Sequence, residues 1–276
     1  MEKIQKNRIK IPSSSKNSPY IVPFLLKNET KSPLVLVIPG GGYDHYGKKE
    51  QESVALKMNE LGFSAAILYY TLAPTYFPQQ LIDLADTVAY IRQHEAEWNI
   101  QKICLCGFSA GAHLGASLGC YWNSLLLKEY TNWSAQEIRP DFIALCYPVI
   151  TAQNEFCNKG SIDNLVLNVP SQNESKKICT LCDSSSLKDA VSLEKHVSAD
   201  FPPAFIWHTQ TDESVPPYNS LIFASELLKA KVSVEYHLFP EGKHGLALAE
   251  NTPCKIWPEF FKTWLNSKIQ LDSKNQ

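Results

Sequence analysis

The sequence predicts an α/β fold in one domain, with a mostly parallel central sheet, helices on both faces and a small cap-like insertion. Three observations predict it. Apolar segments typical of buried strands alternate along the chain with segments whose apolar residues recur at helical spacing. The length of 276 residues suits a single domain of this class. Hydrophobic residues make up 44% of the chain and charged residues 20%, so a sizeable core can be buried.

Continuous apolar runs mark the strands that we expect in the middle of the sheet, where both faces are buried. The first run, at 34–38, ends at Pro39 and a triplet of glycines. Further strands are predicted at 63–70, 102–106, 142–147, 204–209 and 233–239. Apolar residues spaced three and four positions apart predict helices at 48–61, 79–92, 110–121, 220–228 and 256–265. Because strands and helices alternate, we expect most of the strands to run parallel.

Two segments fall outside this alternation. Residues 1–33 are predicted to form a polar arm with a short extended piece at 20–26. Residues 151–198 hold many Asn, Ser and Lys residues and interrupt the pattern between two late strands. An insertion at this point can cap an active site, and a solvated excursion from the surface is the alternative. The sequence leaves both interpretations open.

The charge balance restricts the partners that this chain can have. Lys and Arg number 26, Asp and Glu number 28, and the formal net charge of -2 argues against nucleic acid or an anionic membrane as the main partner. No stretch reaches the roughly 20 apolar residues that a membrane span requires. The first residues lack the apolar run of a secretory signal, so we expect a cytoplasmic protein whose eight Cys are reduced thiols.

A C-x-x-C sequence, Cys179 to Cys182, raises the question of a metal or redox site. No second Cys or His pair lies nearby at the spacing that zinc ligands show. We therefore predict no metal site and no cofactor.

A serine-centred pentapeptide follows the predicted strand at 102–106. Gly107 to Gly111 reads GFSAG, which matches the G-x-S-x-G pattern of a nucleophile elbow. Such an elbow leaves Ser109 at the apex of a sharp strand-to-helix turn, so the residues two positions away on each side must be small. A tight turn with a capping serine is the alternative. The flanking apolar strand and the small-residue helix favour the nucleophile.

A glycine-rich loop, PGGGY from Pro39 to Tyr43, follows the early strand at 34–38. Acyl transfer passes through a tetrahedral intermediate whose oxyanion needs two backbone N–H donors, and glycines let the backbone come close. We predict that Ala110 supplies one donor and that Gly41 or Gly42 supplies the other. A flexible turn is the alternative. A phosphate-binding loop is disfavoured, because no Gly-Lys-Ser/Thr follows at the required spacing.

The acid and the base of a Ser-acid-His order can both be placed after late strands. Asp212 follows the strand at 204–209, and His244 lies in a Gly-containing loop after the strand at 233–239. A serine hydroxyl needs a neutral imidazole to take its proton, and a carboxylate fixes the tautomer of that imidazole. The competing acids nearby are Glu213, Asp200 and Glu241. The remaining histidines are 45, 94, 113, 196, 208 and 237, of which 208 and 237 lie inside strands and are expected to be core or supporting groups.

Taken together, these segments resemble the acetylxylan-esterase-like and acetylesterase branch of the α/β-hydrolase superfamily, over about residues 34–248. The resemblance rests on PGGGY, CGFSAGAHLGASLG, CYPVIT, FIWHTQTDESVPPYNSL and FPEGKHGLALA. It implies an α/β-hydrolase fold, the triad Ser109, Asp212 and His244, and oxyanion donors from Ala110 and the glycine loop at 40–42. It also implies hydrolysis of short acyl esters, such as acetyl groups on xylo-oligosaccharides or other glycans.

The chain departs from that family pattern at two places. Ala112 stands where such proteins often have glycine. The segment from Asn158 to Ser161 reads NKGS, where they often have His-Arg-Gly-Ser. If this segment lines the substrate cleft, the second departure bears on carbohydrate preference and leaves the core chemistry unaffected.

The expected partner is a small acylated substrate, and the sequence indicates no oligomeric state. Tyr43, Tyr70 and Tyr147 are candidates for stacking on a sugar ring, although aromatic residues are more often core. A peptidase or amidase with the same triad is one alternative function. A non-catalytic binding protein on the same fold is another, although such proteins usually lose a member of the triad.

Overall fold

A computed structural model describes residues 7–13, 18–27 and 30–274, so the predicted arm lies partly outside the described residues. Within this part of the chain, eight strands form one sheet in the order β1-β2-β4-β3-β5-β6-β7-β8. The strands are β1 (Ile9–Lys10), β2 (Tyr20–Phe24), β3 (Ser32–Ile38), β4 (Ser64–Tyr69), β5 (Ile100–Phe108), β6 (Phe142–Cys146), β7 (Ala204–Thr209) and β8 (Val234–Phe239). The six strands from β3 to β8 run parallel, whereas β1 and β2 pair antiparallel at one edge. The predicted mostly parallel sheet is confirmed.

Helices cover both faces of this sheet. They are α1 (Glu52–Glu60), α2 (Gln79–Gln93), α3 (Ala110–Tyr121), α4 (Leu125–Tyr130), α5 (Ala135–Ile138), α6 (Lys159–Val166), α7 (Gln172–Leu181), α8 (Leu187–Ala190), α9 (Tyr218–Lys229) and α10 (Trp257–Lys274). The predicted helix at 110–121 has the same bounds as α3, and α10 continues well beyond the predicted end at residue 265. Its later turns hold few apolar residues, so the hydrophobic pattern stops before the helix does.

The core is divided by the sheet into two clusters, because alternate residues of a strand point to opposite faces. In β3, Leu34 and Leu36 join the cluster that contains residues of α2, α3 and α9. Val35 and Val37 join the other cluster, with residues of α1 and α10. This double burial explains why β3 reads as an unbroken apolar run.

The segment 151–198 contains structure that the sequence did not predict. Three helices, α6, α7 and α8, form there. Ile162 and Leu165 of α6 and Ile178 of α7 are buried in the core cluster on the α2 side of the sheet. Each of these helices is short and begins at a capping Asn or Ser, so few apolar residues are needed and the periodicity is weak. The insertion is thus a packed part of the domain.

Among the described residues, no helix has the length and apolarity that crossing a membrane would demand.

Candidate active site

Ser109 stands between β5 and α3 in a left-handed backbone conformation, with φ of 53°. Its neighbours explain the two glycines of the pentapeptide. A Cβ atom on Gly111 would lie 2.1 Å from the carbonyl oxygen of Ile38, and one on Gly107 would lie 2.4 Å from the carbonyl oxygen of Gly111. Neither position has space for a side chain, so the elbow can form only with glycine at both.

Ser109, His244 and Asp212 form a continuous chain of hydrogen bonds. Ser109 Oγ lies 2.8 Å from His244 Nε2, and His244 Nδ1 lies 2.6 Å from Asp212 Oδ2. Because the carboxylate accepts from Nδ1–H, the tautomer that fits leaves Nε2 free to accept the serine proton. The competing acids Glu213, Asp200 and Glu241 are all exposed side chains. The residues predicted as the triad are therefore brought together by the fold.

Asp212 is held in its ionised form by its surroundings. Its Oδ1 atom accepts the backbone N–H groups of Ser214 and Val215, both at 2.9 Å. Burial alone would raise the pKa of this carboxyl, but the hydrogen bonds from His208 and His244 outweigh burial and hold the pKa of Asp212 below its usual range. The group that orients the base thus stays charged over the working pH range.

His208 is a second histidine on the same carboxylate. Its Nε2 atom lies 3.2 Å from Asp212 Oδ2 and 3.0 Å from the carbonyl oxygen of Val215, so Nε2 carries the proton. Its Nδ1 atom lies 2.7 Å from Ser220 Oγ, which donates to it. These bonds fix the orientation of the buried His208 ring beside Asp212.

The carbonyl groups of the glycine loop are held by hydrogen bonds, whereas, among the described residues, N–H groups of the loop are left unpaired. The carbonyl oxygen of Gly40 accepts from Gly47 N at 2.9 Å, and that of Gly41 accepts from the amides at 44 and 45 at 3.2 Å. The carbonyl oxygen of Gly42 accepts from Asn164 Nδ2 at 2.8 Å. Within the described part of the chain, the N–H groups of Gly41, Gly42 and Ala110 have no hydrogen-bond partner. This arrangement suits the binding of an oxyanion, and these are the predicted donors.

The insertion contributes directly to the site through α6. Asn164 supplies the amide that holds Gly42, and Asn158 caps the helix while donating to the Ser214 carbonyl oxygen at 2.9 Å. Asn158 and Ser161 line a cavity of about 390 Å³ that also contains Ser109. Sequence reasoning did not identify Asn164, because its partner lies 122 residues away and nothing in its neighbourhood marks it.

Glu50 is another residue that sequence reasoning missed. It lies in a 3-10 turn (Lys48–Glu50), is only 5% exposed, and borders the same cavity as Ser109. Its carboxylate accepts from Gly40 N at 2.8 Å and from the Tyr147 hydroxyl at 2.7 Å. In the sequence it belongs to the charged run KKEQE, which reads as a solvated helix start.

The three tyrosines predicted to stack on substrate lie in the interior instead. The Tyr43 hydroxyl bonds His113 Nδ1 at 2.7 Å, and the Tyr70 hydroxyl donates to the Pro39 carbonyl oxygen at 2.8 Å. Tyr147 is also buried, with its ring edge against that of His244 at 5.0 Å between centroids. The expectation of substrate stacking is corrected: burial leaves no ring face open, and the hydroxyl groups support the loops of the site.

No three His, Cys, Asp or Glu side chains in the described ranges are grouped so that they could hold a metal ion. Cys179 and Cys182 are both free thiols, and burial raises the pKa of each.

Comparison with known proteins identifies the family to which these features belong. The model of the BD-FAE family matches residues 24–227, a range that includes the glycine loop, Ser109 and Asp212. The chain belongs to the BD-FAE family. His244 lies beyond the matched range.

Solved structures similar to this BD-FAE family member are α/β-hydrolases. The acetyl ester-xyloside bifunctional hydrolase from Caldicellulosiruptor lactoaceticus is 33% identical with a TM-score of 0.80, over 95% of this chain and 96% of that one. The carboxylesterase Cest-2923 from Lactobacillus plantarum is 26% identical with a TM-score of 0.77, over 96% of this chain and 98% of that one. The α/β-hydrolase fold expected from the sequence is confirmed.

Two curated relatives are longer proteins. Endo-1,4-beta-xylanase B of Butyrivibrio fibrisolvens is 31% identical over 97% of this chain and 40% of its own length. The acetylxylan esterase of Xylanibacter ruminicola is 27% identical over 91% of this chain and 46% of its own length. The chain thus spans less than half the length of these two relatives.

Proposed function

We propose that this chain is a serine carboxylic-ester hydrolase that removes short acyl groups, mainly acetyl, from oligosaccharides. The observation that carries the proposal is the hydrogen-bonded chain from Ser109 through His244 to Asp212, which lies beside unpaired amides at Gly41, Gly42 and Ala110. A nucleophile, a base, an orienting acid and oxyanion donors are the parts that acyl transfer needs.

The reaction proceeds through an acyl-enzyme. Ser109 Oγ attacks the ester carbonyl carbon while His244 Nε2 takes the hydroxyl proton, and the amides of the glycine loop and Ala110 bind the oxyanion. The intermediate collapses with cleavage of the bond to the alcohol oxygen, which leaves with the proton from His244. Water then attacks the acyl-enzyme, again giving a proton to His244, and the carboxylic acid departs as Ser109 is restored.

The lining of the cavity supports a small acyl group and a polyhydroxylated alcohol. The residues that border it are glycines and polar or charged residues: Gly41, Gly42, His45, Gly47, Lys48, Lys49, Glu50, Ser109, Asn158, Ser161, His244 and Gly245. The Ser161 hydroxyl, in a buried residue, has no hydrogen-bond partner among the described residues and is available to a substrate. A long acyl chain would need apolar side chains along the walls, and none of the residues that line this cavity has one.

Two neighbouring cavities that share lining residues support an extended substrate. Lys49 borders both the catalytic cavity and a neighbouring one of about 340 Å³. That second cavity shares Ser53, Glu250 and Asn251 with a third, of about 690 Å³, along α1. An oligosaccharide could extend along this path with its acetyl group at Ser109. Carbohydrate is also the substrate class in the names of the acetylxylan esterase and the acetyl ester-xyloside hydrolase.

The test measures kcat/KM for p-nitrophenyl esters from C2 to C10, together with acetate release from acetylated xylo-oligosaccharides. We expect a steep fall beyond C4, sugar deacetylation, and loss of both activities in Ser109→Ala. Ser267→Ala is the matched control, because that hydroxyl bonds only the Trp264 carbonyl oxygen on α10. Turnover of the nitrophenyl esters without sugar deacetylation would discard the substrate class. Inactivity on every ester would discard the esterase assignment.

A further inference from the structure

Glu50 is a buried carboxylate that the triad chemistry does not use. Its two oxygen atoms have separate partners: Oε2 accepts from Gly40 N at 2.8 Å and Oε1 accepts from the Tyr147 hydroxyl at 2.7 Å. Tyr147 Oη in turn accepts from Ala247 N at 2.9 Å, so the single tyrosine proton points to Glu50. Both carboxylate oxygens thus face donors.

This pattern fits the ionised form of Glu50. The Tyr147 hydroxyl donates to Oε1 and the Gly40 N–H donates to Oε2, and both donors favour the charged carboxylate. Burial raises the pKa of Glu50 above its usual value, and the hydrogen bonds from Tyr147 and Gly40 and the nearby His244 offset this rise only in part. A buried charge is costly unless it is hydrogen-bonded, so an apolar or neutral residue would be the simpler choice at a purely structural position.

The backbone is shaped around this carboxylate. A Cβ atom on Gly47 would lie 2.4 Å from Glu50 Oε2, and one on Gly40 would lie 3.0 Å from it. The Gly40 position is also closed by Ser109, whose Cβ would be 2.8 Å away. Glu50 Oε2 and Ser109 Cβ therefore both lie on the side of Gly40 where a side chain would be, and they leave no room for one.

The contacts of Glu50 connect the two loops that must cooperate in the reaction. Gly40 leads into the free amides of Gly41 and Gly42. Ala247 follows His244 by three residues, and the Tyr147 ring lies edge-on against the His244 ring at 5.0 Å between centroids. Three hydrogen bonds thus connect the glycine loop to the loop that holds His244, and they run from Gly40 through Glu50 and Tyr147 to Ala247.

We propose that Glu50 is a positioning residue for the ester hydrolysis proposed above, on which this inference rests. It fixes the glycine loop and the histidine loop relative to each other. Its negative charge also favours the imidazolium that forms on His244 in the transition state, in addition to the charge of Asp212. The second effect follows because opposite charges attract strongly where water is excluded.

Several other groups surround this pair and must be considered in any pH profile. The charged or titratable groups near Glu50 and His244 are Asp212, His45, Lys48, Lys49, Tyr70, Cys146 and Tyr147. Burial raises the pKa of Tyr70, Cys146 and Tyr147, so these three stay neutral when the base titrates. Asp212 stays ionised. Glu50 is therefore a buried carboxylate near His244 that a substitution can neutralise without touching the triad.

The experiment compares Glu50→Gln with wild type in kcat/KM for p-nitrophenyl acetate from pH 4 to 9. We expect the plateau to fall roughly 10- to 100-fold, as for a misaligned oxyanion donor. We expect the acid limb of the profile to move to lower pH, because a positive charge on the imidazole ring loses a stabilising neighbour. Glu97→Gln, an exposed carboxylate on the surface after α2, is the charge-matched control and should leave both features unchanged.

Tyr147→Phe separates positioning from charge, because it removes the bridging hydroxyl and keeps the carboxylate. Its plateau should fall while its acid limb stays in place. An acid limb and plateau of Glu50→Gln that match wild type would overturn the proposal, and a lowered plateau with an unmoved limb would remove the electrostatic part.

The rate at which a fluorophosphonate labels Ser109 provides a readout across the same pH range that does not require ester turnover. If wild type is labelled but hydrolyses no ester, the proposed function fails while the role of Glu50 is still tested. Should Glu50→Gln not fold, Glu50→Asp keeps the charge but cannot reach both donors, and its plateau should fall without a limb shift.

Discussion

The bond from Asn164 to the glycine loop makes the insertion part of the proposed catalytic site, and the loss of this bond should be measurable. Asn164 Nδ2 lies 2.8 Å from the carbonyl oxygen of Gly42, whose φ of 63° requires the left-handed region. Without this donor, the Gly42 peptide is free to rotate, and the N–H groups beside it lose their alignment with the oxyanion. Asn164→Ala is the perturbation that removes the donor and little else.

The magnitude follows from the strength of the bond. A neutral hydrogen bond contributes about 1 kcal/mol, which corresponds to roughly a fivefold change in rate if all of it is expressed in the transition state. Complete loss of one oxyanion donor costs about 100- to 1000-fold, which sets the upper limit. We expect kcat/KM for p-nitrophenyl acetate to fall about 5- to 10-fold, with Tm lowered by about 2–4 °C.

Ser171→Ala is the control, because it affects stability in the same insertion without touching the site. Ser171 Oγ caps α7 by accepting from Glu174 N at 3.1 Å, and loss of such a cap costs about 1 kcal/mol. Its Tm should fall by a similar amount while kcat/KM stays at the wild-type value. The reasoning is refuted if Asn164→Ala keeps wild-type kcat/KM, or if Ser171→Ala loses as much activity as Asn164→Ala does.

Three further substitutions test other parts of the structure. Burial raises the pKa of Asp83 to about 6, so ionisation of this carboxyl lowers the free energy of unfolding as pH rises from about 4 to 6. In urea unfolding, the free energy of unfolding of Asp83→Asn should depend less on pH over that range, and a pH dependence parallel to that of wild type would contradict this. Tyr43→Phe leaves buried His113 Nδ1 without its donor and should lower the unfolding free energy by about 1–3 kcal/mol; an unchanged midpoint in denaturant would show that the bond contributes nothing. Gly111→Ala forces a Cβ to within 2.1 Å of the Ile38 carbonyl oxygen, and should abolish fluorophosphonate labelling of Ser109; normal labelling would mean that the elbow can shift to make room.

The sequence was most informative where function depends on backbone at the ends of buried strands. Ser109 and Asp212 each follow a buried apolar run that is hard to mistake, whereas His244 follows the half-buried strand β8. The glycines around Ser109 are dictated by close backbone contacts. The predicted bounds of α3 agree with the structure to the residue, because this helix begins directly after the rigid elbow at Ser109. Local pattern and tertiary structure agree at these places, as expected for a consistent fold.

The supporting residues could not be predicted, because their partners are distant in sequence. Asn164 is 122 residues from Gly42, and Glu50 is 97 residues from Tyr147. Within a charged run or a polar helix, the sequence does not indicate which side chain is buried. Tyr147 shows the same limit: the sequence predicted that its ring stacks on substrate, whereas in the structure the ring is buried and its hydroxyl bonds Glu50.

The attachment of Gly42 to α6 has a consequence for engineering this fold. Loop and lid segments of hydrolases are natural units to exchange when a different substrate range is wanted. Here residues 151–198 cannot be exchanged as an independent module, because one of their side chains holds the backbone that binds the oxyanion. A grafted segment would need to bring an amide donor to the position of Asn164. A chimaera that lacks it would change selectivity and turnover together, and its slow rate would be mistaken for poor substrate recognition.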